Sequence, residues 1–478
     1  MLTLINANRM SPPVAPVGLD YVATAARLAG IETSILDLCL TSDPISALRA
    51  HFESCSPVLV GISFRNVDDC FWPSATSFVP DLVDLVCTIR QHSESPVVLG
   101  GVGYSVFADR LVVETSADFG IRGDGETAIP RLLDALEGRA RLEEVPGLVW
   151  RDRDRLVCNA PAWPRQLQVP TSRDAIDNRR YFELGGQAGV ETKRGCPRRC
   201  LYCADPVAKG GSARTRAPDE VSAEFEALAA QGIDVVHLCD GEFNLPRDHA
   251  IAVCESLIAR RLGDRVRWYT YAAVTPFDAQ LARLMRQAGC VGINFTSDAG
   301  SDEMLARYGH AHHRDDLAVV VRLCREHGIA CMLDLLLGGP GETPATLAET
   351  IAWTKQVGPD CVGASLGLRL YPGTPAAQLV SGADTPQSAP GILRKYAGPV
   401  DLLHPTFYIS PALGTRPASL VRHLIADDPR FFPPAEAAPE GHADGDHNYN
   451  ANEPLSRAIA SGARGAYWDI LRRAARAG

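Results

Sequence analysis

The stretch Gly195-Cys196-Pro197-Arg198-Arg199-Cys200-Leu201-Tyr202-Cys203 spaces three cysteines as C-x3-C-x2-C directly after a predicted β-strand. Three thiolates this close together can hold one iron–sulfur cube, because sulfur ligands suit such soft metal sites. Cys196, Cys200 and Cys203 are therefore predicted to be the metal ligands of a [4Fe–4S] cluster. No fourth cysteine lies nearby, so one iron would stay open to chelate a cofactor. A zinc site is the alternative, although structural zinc usually takes four ligands arranged in pairs.

Around this motif, strand and helix patterns alternate, and they predict a partial (β/α)6 TIM-type barrel over residues 186–395. Barrels of this kind carry their chemistry at the carboxyl ends of the strands. The predicted strands are 189–193, 235–239, 267–272, 291–296, 330–337 and 361–370. The predicted helices are 218–231, 249–260, 278–288, 301–308, 315–327 and 343–356.

The segments on either side of the barrel have different patterns. Residues 1–135 alternate short apolar strands with helices, which predicts an α/β fold with a doubly wound, Rossmann-like parallel sheet. Residues 136–185 are rich in Arg, Asp and Pro and are predicted to be a linker with a hairpin at 147–159. Residues 396–478 are predicted to form a small C-terminal region that covers the substrate and ends in one amphipathic helix at 453–477.

Residues 189–378 resemble the radical S-adenosylmethionine superfamily. The cysteine triad with Tyr202 before its third member carries the resemblance, and other positions match in order. The resemblance implies that one group of residues contacts S-adenosylmethionine: Tyr202, Asp240, Gly241, Glu242, Ser297, Asp298, Gly338 and Gly339. The family usually has Gly-Gly-Glu where this chain has Asp240-Gly241-Glu242. For residues 338–343 a strand-to-helix turn with Thr343 as N-cap is an equally good interpretation.

The first domain resembles the cobalamin-binding domain of B12-dependent radical enzymes, through residues 16–21, 36–38, 61–63, 100–101 and 123–126. The resemblance implies cobalamin contacts from Pro16, Gly18, Leu19, Ser63, Arg65, Asn66, Gly100, Gly101, Gly123, Gly125 and Glu126. The Asp-x-His-x-x-Gly motif, whose histidine binds cobalt from below in other B12 proteins, is absent. We expect Arg65 or its neighbours to exclude a ligand from that lower face. The alternative is a surface ion pair of Arg65 with Asp68 or Asp69.

The two resemblances together imply a C-methyltransferase. It would move a methyl group from methylcobalamin to an unactivated or aromatic carbon of a small-molecule biosynthetic intermediate, by a radical or a polar route. The alternative enzyme is a B12-dependent rearrangement, cyclisation or ring contraction without net methyl transfer, and a non-enzymatic alternative is a B12 or redox sensor. Candidate catalytic residues are Tyr269, Tyr271, Arg369 and Tyr371. Further candidates for substrate contact are Asp334, His404, His447, Asn448, Tyr449 and Asn450, with Arg214 and Arg216 as possible carboxylate ligands.

The composition limits partners and location. The net charge is −10 without a basic block, which argues against a nucleic-acid partner. No apolar run is long enough for a membrane helix, and the first residues are typical of a β-strand and not of a signal peptide. We therefore expect a cytoplasmic enzyme with reduced thiols, a small-molecule substrate and an electron donor such as flavodoxin or ferredoxin. The isolated cysteines 39, 87, 254, 290, 331 and 361 are expected to be buried.

Overall fold

The computed structural model describes residues 1–380, 390–436 and 448–477. The first domain is built on a sheet with strand order β2-β1-β3-β4-β5-β6-β7, in which β1 to β5 are parallel. The parallel strands are β1 (Leu2–Asn6), β2 (Thr33–Asp37), β3 (Leu59–Ser63), β4 (Val97–Gly100) and β5 (Phe119–Ile121). The helices are α1 (Val17–Leu28), α2 (Pro44–Ser54), α3 (Val79–His92), α4 (Val102–Val106), α5 (Ala108–Thr115) and α6 (Gly125–Leu136). The strand order reverses beside β1, where open α/β sheets bind their ligands.

The first part of the predicted linker contains two strands that belong to the sheet of the first domain. Strands β6 (Leu148–Asp152) and β7 (Arg155–Cys158) pair antiparallel with each other, and β6 pairs with β5. They join the sheet because Leu148, Val149 and Trp150 are buried in it. We therefore propose that the first domain extends to about residue 158. The segment that follows contains α7 (Asn178–Gly185).

The second domain is the predicted open barrel. Its strands are β8 (Ala188–Val190), β11 (Val235–Leu238), β12 (Arg267–Ala272), β13 (Cys290–Asp298), β14 (Ala330–Leu337) and β15 (Cys361–Leu366), which pair in parallel and in chain order. Its helices are α8 (Asp205–Lys209), α9 (Pro218–Ala230), α10 (Arg247–Ala259), α11 (Ala279–Gln287), α12 (Asp302–Tyr308), α13 (Arg314–His327) and α14 (Pro344–Val357). The predicted fold class is confirmed, with six barrel strands in the expected places.

Two predicted strands are split in the structure. The first ends at Val190, and the next residues form β9 (Lys193–Arg194), which pairs with β10 (Arg214–Thr215). The sixth ends at Leu366, because Gly367 has a positive φ of 97° and redirects the chain. The chain then forms β16 (Leu368–Arg369), in a small sheet with β17 (Ile392–Arg394) and β18 (Thr406–Tyr408).

The C-terminal region adds pieces to the barrel. After α15 (Pro417–Ile425), strand β19 (Phe431–Phe432) extends the barrel sheet beside β15. The predicted single terminal helix is wrong. Instead, α16 (Glu453–Ala460) and α17 (Tyr467–Ala477) are separated by a turn in which Gly462 and Gly465 have positive φ angles of 95° and 143°.

Helix α17 packs against the amino end of the barrel, where Arg472 lies 3.6 Å from Asp360 at the start of β15. Among the described residues, no helix is both long and apolar enough to cross a membrane. His447 lies outside the described residues.

Candidate functional site

A cavity of about 350 Å³ opens at the carboxyl ends of β1, β3, β4 and β5. All eleven predicted cobalamin contacts line it: Pro16, Gly18, Leu19, Ser63, Arg65, Asn66, Gly100, Gly101, Gly123, Gly125 and Glu126. A Cβ atom added at Gly100 would meet no protein atom within 4 Å, so this glycine leaves its space to a ligand. The cavity, here called the cofactor cavity, therefore has room for a ligand beside the end of β4.

The barrel supplies the opposite wall of the cofactor cavity. Gly189, Glu191 and Cys239 line it from the carboxyl ends of the first two barrel strands, together with Arg194 and Lys209. A ligand in the cavity would consequently face the mouth of the barrel, as methyl transfer between the two domains requires.

Arg65 lies at this boundary. Its guanidinium donates to Asn66 Oδ1 at 3.1 Å. The alternative of an ion pair with Asp68 or Asp69 is wrong, because Asp68 pairs with Arg369 at 2.9 Å and Asp69 accepts from Ser74. Arg65 lines the cofactor cavity, as do Glu191 and Cys239 of the barrel.

The three predicted cluster ligands lie in the loop that joins β9 and β10. Gly195 starts this loop with a positive φ, and an added Cβ would lie 2.3 Å from the Ser212 carbonyl oxygen. The amide of Cys196 donates to the Gly210 carbonyl at 3.2 Å, and that of Cys203 donates to the Cys200 carbonyl at 3.2 Å. These contacts fix the backbone of the loop that carries the three thiols.

The cysteine thiols must lose their protons to bind iron, because the thiolate is the metal ligand. Burial raises the pKa of Cys200 and of Cys203 to about 12, so bound iron must stabilise their thiolate form. Within the described ranges, no three His, Cys, Asp or Glu side chains are close enough to hold a single metal ion.

Next to the cysteines, Asp298 accepts hydrogen bonds from Tyr202 and His310. Burial lowers the pKa of His310, but the adjacent Asp298 carboxylate outweighs burial and raises it. The neighbouring Ser297 hydroxyl donates to the Asp334 carbonyl at 2.9 Å. Tyr202, Ser297 and Asp298, three of the predicted contacts for S-adenosylmethionine, thus lie together beside the cluster loop. The side chains of Ser297 and Asp298 already form hydrogen bonds within the protein.

Glu242 and Asn294 offer open hydrogen-bond acceptors. Glu242 Oε1 accepts from the Thr296 hydroxyl at 2.5 Å, and burial raises the pKa of this carboxyl to about 7. Glu242 Oε2 and Asn294 Oδ1 are buried, and neither has a hydrogen-bond partner among the described residues. Because buried polar atoms are normally paired, these two acceptors fit the ammonium or hydroxyl groups of a bound molecule.

Asp240 has a different role from the one predicted. Its carboxylate accepts from the amides of Thr192 and Lys193 at 2.8 and 3.2 Å, and also from the Thr192 hydroxyl. The carboxylate is engaged within the protein, so Asp240 ties the segment after β8 to the end of β11. Gly241 follows it, and an added Cβ there would lie 3.1 Å from Asp205.

Gly338 and Gly339 follow β14. Gly338 has a positive φ of 87°, and its amide donates to the buried Glu342 carboxylate. A Cβ at Gly339 would lie 2.3 Å from the Tyr308 hydroxyl, so a side chain does not fit. Thr343 accepts from the Thr346 amide at 3.2 Å, which confirms the N-cap interpretation. The contact of this turn with adenine stays a prediction.

Three of the four predicted catalytic residues are engaged with other parts of the protein. The Tyr269 hydroxyl donates to Asp469 of α17 at 2.8 Å, on the closed side of the barrel. Arg369 is buried in its ion pair with Asp68 and lies over the Tyr371 ring, and Tyr371 packs against Phe107 of the first domain. Tyr269 thus connects β12 to α17, and Arg369 and Tyr371 connect the segment after β15 to the first domain. Tyr271 does not line the cofactor cavity itself, and its ring lies beside the ring of His237 on the neighbouring strand β11.

Residues that sequence reasoning missed lie around Tyr271. The His237 ring lies 5.2 Å from the Tyr271 ring between centroids. Cys239 and Glu191 stand where strands end, a signal that could have identified them. His310 and its partner Asp298 are 12 residues apart and belong to no common sequence motif. The sequence alone therefore did not indicate His310.

The two arginines considered as carboxylate ligands bind the protein's own carboxylates. Arg214 pairs with Asp124, and Arg216 pairs with Glu224. Both arginines are fully buried.

Comparisons with known proteins agree with this architecture. Residues 5–133 match the B12 binding domain model, and residues 190–354 match the radical SAM superfamily model. The chain is 32% identical to a tryptophan 2-C-methyltransferase of Streptomyces laurentii, over 78% of this chain and 73% of that protein.

Solved structures extend the match over the whole chain. The radical S-adenosylmethionine methyltransferase TsrM of Kitasatospora setae, with tryptophan and an S-adenosylmethionine analogue bound, has a TM-score of 0.90 and 31% identity, covering 100% of this chain and 98% of that chain. A second structure of that enzyme, with cobalamin and a [4Fe–4S] cluster bound, has a TM-score of 0.86. The chain therefore belongs to the cobalamin-dependent radical S-adenosylmethionine C-methyltransferases, which use a [4Fe–4S] cluster, S-adenosylmethionine and cobalamin.

Proposed function

We propose that this enzyme transfers a methyl group to a ring carbon of tryptophan or a closely related indole. The similar enzymes from Streptomyces laurentii and Kitasatospora setae are a tryptophan 2-C-methyltransferase and a methyltransferase with tryptophan bound. The observation on this chain that carries the proposal is the aromatic pair of His237 and Tyr271 inside the barrel, with centroids 5.2 Å apart. Paired aromatic side chains favour a flat aromatic ligand.

His237 is suited to recognise an indole N–H. Its Nδ1 lies 2.9 Å from the Leu238 carbonyl oxygen, which can only accept, so Nδ1 carries the proton. Burial lowers the pKa of His237 to about 4, which keeps the ring neutral. Its Nε2 is then a hydrogen-bond acceptor inside the barrel. We therefore assign it the N–H of the substrate ring.

The remaining residues hold and shield the reactants. When bound, the cofactors supply the methyl group and the electrons. Gly100 and Gly101 leave room for cobalamin, and Arg65 keeps a positive charge between it and the barrel. The open acceptors of Glu242 and Asn294 would bind ammonium groups. We expect the contact between the two domains, which includes the buried ion pairs Arg194–Glu126 and Arg369–Asp68, to exclude water from the reacting carbon.

Anaerobic incubation with methyl-deuterated S-adenosylmethionine and tryptophan tests the proposal. The protein should be reconstituted with iron, sulfide and cobalamin, and products read by mass spectrometry. We expect tryptophan to gain one labelled methyl group, and Cys196→Ala protein to form none. If tryptophan and simple indoles all remain unlabelled while the cofactors are fully loaded, the substrate proposal is wrong.

The same assay separates radical from polar transfer. S-adenosylhomocysteine without 5′-deoxyadenosine indicates polar transfer, and equal amounts of both indicate a radical route. The methyl-transferring relatives do not favour the alternative of rearrangement without methyl transfer. That alternative would give 5′-deoxyadenosine without labelled product.

We further propose that the enzyme works in the cytoplasm with a low-potential electron donor such as flavodoxin or ferredoxin, and without a nucleic-acid partner. The acidic net charge of −10 supports the last point. Reduction by purified flavodoxin, followed by the absorbance of the cluster, would test the donor.

A further inference from the structure

A second cavity, of about 540 Å³, lies next to the cofactor cavity. It is bounded by the loop after β1, the segment after β2, and helices α7 and α16. We call it the entrance cavity. Asn8 lines both cavities, so this residue forms part of the wall between them. The volume lies within the range of about 300–1,000 Å³ that is typical of small-molecule sites.

Asn8, in the wall of the entrance cavity, has a hydrogen-bond donor that no protein group accepts from among the described residues. Asn8 is 6% exposed, and its Oδ1 accepts from the Met10 amide at 3.1 Å. Its Nδ2 is buried and has no hydrogen-bond partner in the part of the chain that the structure describes. Burial of a donor in this state is unfavourable unless a ligand or water accepts from it.

Arg9 supplies the positive charge. No described carboxylate lies within ion-pair distance of it. Arg9 is exposed and lines the cavity together with the half-buried thiol of Cys39. Glu183 also lines the cavity, but it pairs with Arg179 at 3.2 Å. A cation beside a free amide donor is the combination that binds a carboxylate.

The rest of the wall is largely apolar. It includes Met10, Pro12, Pro13, Leu38, Pro44, Leu184, Ile459 and Ala460. Such a surface suits a flat hydrocarbon or aromatic group and excludes a strongly hydrated one. The ligand that matches both parts of the wall is an aromatic carboxylic acid.

The entrance cavity is also bordered by the C-terminal region, through helix α16. The loop after β1 is held by the C-terminal region, since Ala451 donates its amide to the Ser11 carbonyl at 2.7 Å.

We propose that the entrance cavity is a subsite that binds an aromatic amino acid through its carboxylate, with Arg9 and Asn8 as the donors. This inference rests on the proposed substrate class. It adds a binding site outside the cofactor cavity and the barrel.

Protection of Cys39 from alkylation tests the subsite without an activity readout. Anaerobic holoenzyme is treated with N-ethylmaleimide, and the peptide containing Cys39 is followed by mass spectrometry. Tryptophan and indole-3-propionate should slow its modification, whereas tryptamine, which lacks the carboxylate, should not. Cys158 is exposed on β7 and serves as the internal control, with an unchanged rate.

The Arg9 variants connect the protection to the carboxylate. Arg9→Gln should raise the half-protecting concentration of indole-3-propionate by about tenfold or more, the usual effect of losing a charged hydrogen bond. Arg9→Lys keeps the charge and should retain most of the protection. Unchanged Cys39 modification with both acids, or the same half-protecting concentration in Arg9→Gln, would overturn the inference.

Methyl transfer measured on the same preparations separates this inference from the proposed function. If tryptophan is methylated while Cys39 is not protected, the entrance subsite is wrong and the proposed function stands. If both acids protect Cys39 but no indole is methylated, the subsite stands and the proposed substrate is wrong.

Discussion

At the scale of single residues, Gly100 shows how a missing side chain shapes a cofactor site. The space beyond its Cα is empty of protein atoms, yet it opens into the cofactor cavity. Gly100→Val should therefore weaken cobalamin binding by roughly tenfold to a hundredfold, because extra methyl groups in a filled site cost about 1–3 kcal/mol. Equilibrium dialysis measures the affinity.

The cofactor-free protein provides the control for this prediction. Gly100→Val should unfold at the same temperature as wild type without cobalamin, and Gly100→Ala should weaken binding less. A valine variant that binds cobalamin as tightly as wild type would mean that the cofactor does not approach this strand end.

His237 is predicted to act through its acceptor. His237→Phe keeps a flat ring but removes Nε2, so kcat/KM for tryptophan should fall about three- to tenfold, the usual effect of losing one hydrogen bond. His237→Gln, which retains an acceptor, should recover part of the activity. The β-(3-benzothienyl)alanine analogue lacks the N–H, and the Phe variant should leave its turnover unchanged. Equal losses with both substrates would indicate that His237 only packs.

Sequence reasoning identified individual residues well where local pattern decides their position. The eleven cobalamin candidates all line one cavity, because they lie at the carboxyl ends of parallel strands, which meet at one edge of a sheet. It did not indicate the contacts of Tyr269, Arg369 and Tyr371, whose partners Asp469, Asp68 and Phe107 are distant in sequence, and the catalytic role of these three residues stays a prediction. Nothing local indicates whether a polar side chain near a strand end faces a ligand or another element.

At the scale of elements, a buried ionic group joins α1, α9 and the segment before α7. Arg173 donates to Asp20 at 2.6 Å and to Glu224 at 2.6 Å, and all three side chains are fully buried. Removing one partner of such a group leaves charge uncompensated, which usually costs about 3–5 kcal/mol. Arg173→Met should lower the free energy of unfolding by about this amount in urea denaturation.

Arg179→Met is the matched control, since Arg179 pairs with Glu183 on the surface at 3.2 Å. Its effect should stay below about 1 kcal/mol. Similar losses in the two variants would show that the buried group contributes no more than a surface ion pair. The sequence did not indicate that Arg173 connects these elements, because it lies in the segment 136–185 that is predicted to be a linker.

Element types were predictable because the strands are buried and apolar and the helices have clear starts and stops. The failures lie at short elements that tertiary contacts decide. The hairpin of β6 and β7 joins the first sheet through three buried residues, and α16 and α17 are separated by a turn with two positive-φ glycines. Periodicity alone does not place either feature.

At the scale of the whole molecule, the two cofactor domains meet through a second buried ionic group. Arg194, two residues before the first cluster cysteine, pairs with Glu126 at 2.6 Å and with Asp124 at 3.1 Å. Arg214, on the strand that closes the cluster loop, donates to Asp124 at 3.1 Å. Both carboxylates also line the cofactor cavity. One set of charges thus borders the cobalamin site and holds the cluster loop.

This arrangement predicts that the cluster and cobalamin strengthen each other's binding. Coupling between two sites is reciprocal and typically amounts to about 5- to 150-fold in affinity. Wild-type protein with the cluster should therefore bind cobalamin at least about fivefold more tightly than cluster-free protein, and Glu126→Gln should reduce this ratio towards one, because the neutral amide no longer holds Arg194. Glu144→Gln, which removes an exposed pair with Arg141, should keep the wild-type ratio. An undiminished ratio in Glu126→Gln would mean that the coupling does not depend on Glu126, and a ratio of one in the wild-type protein would mean that the two cofactors load independently.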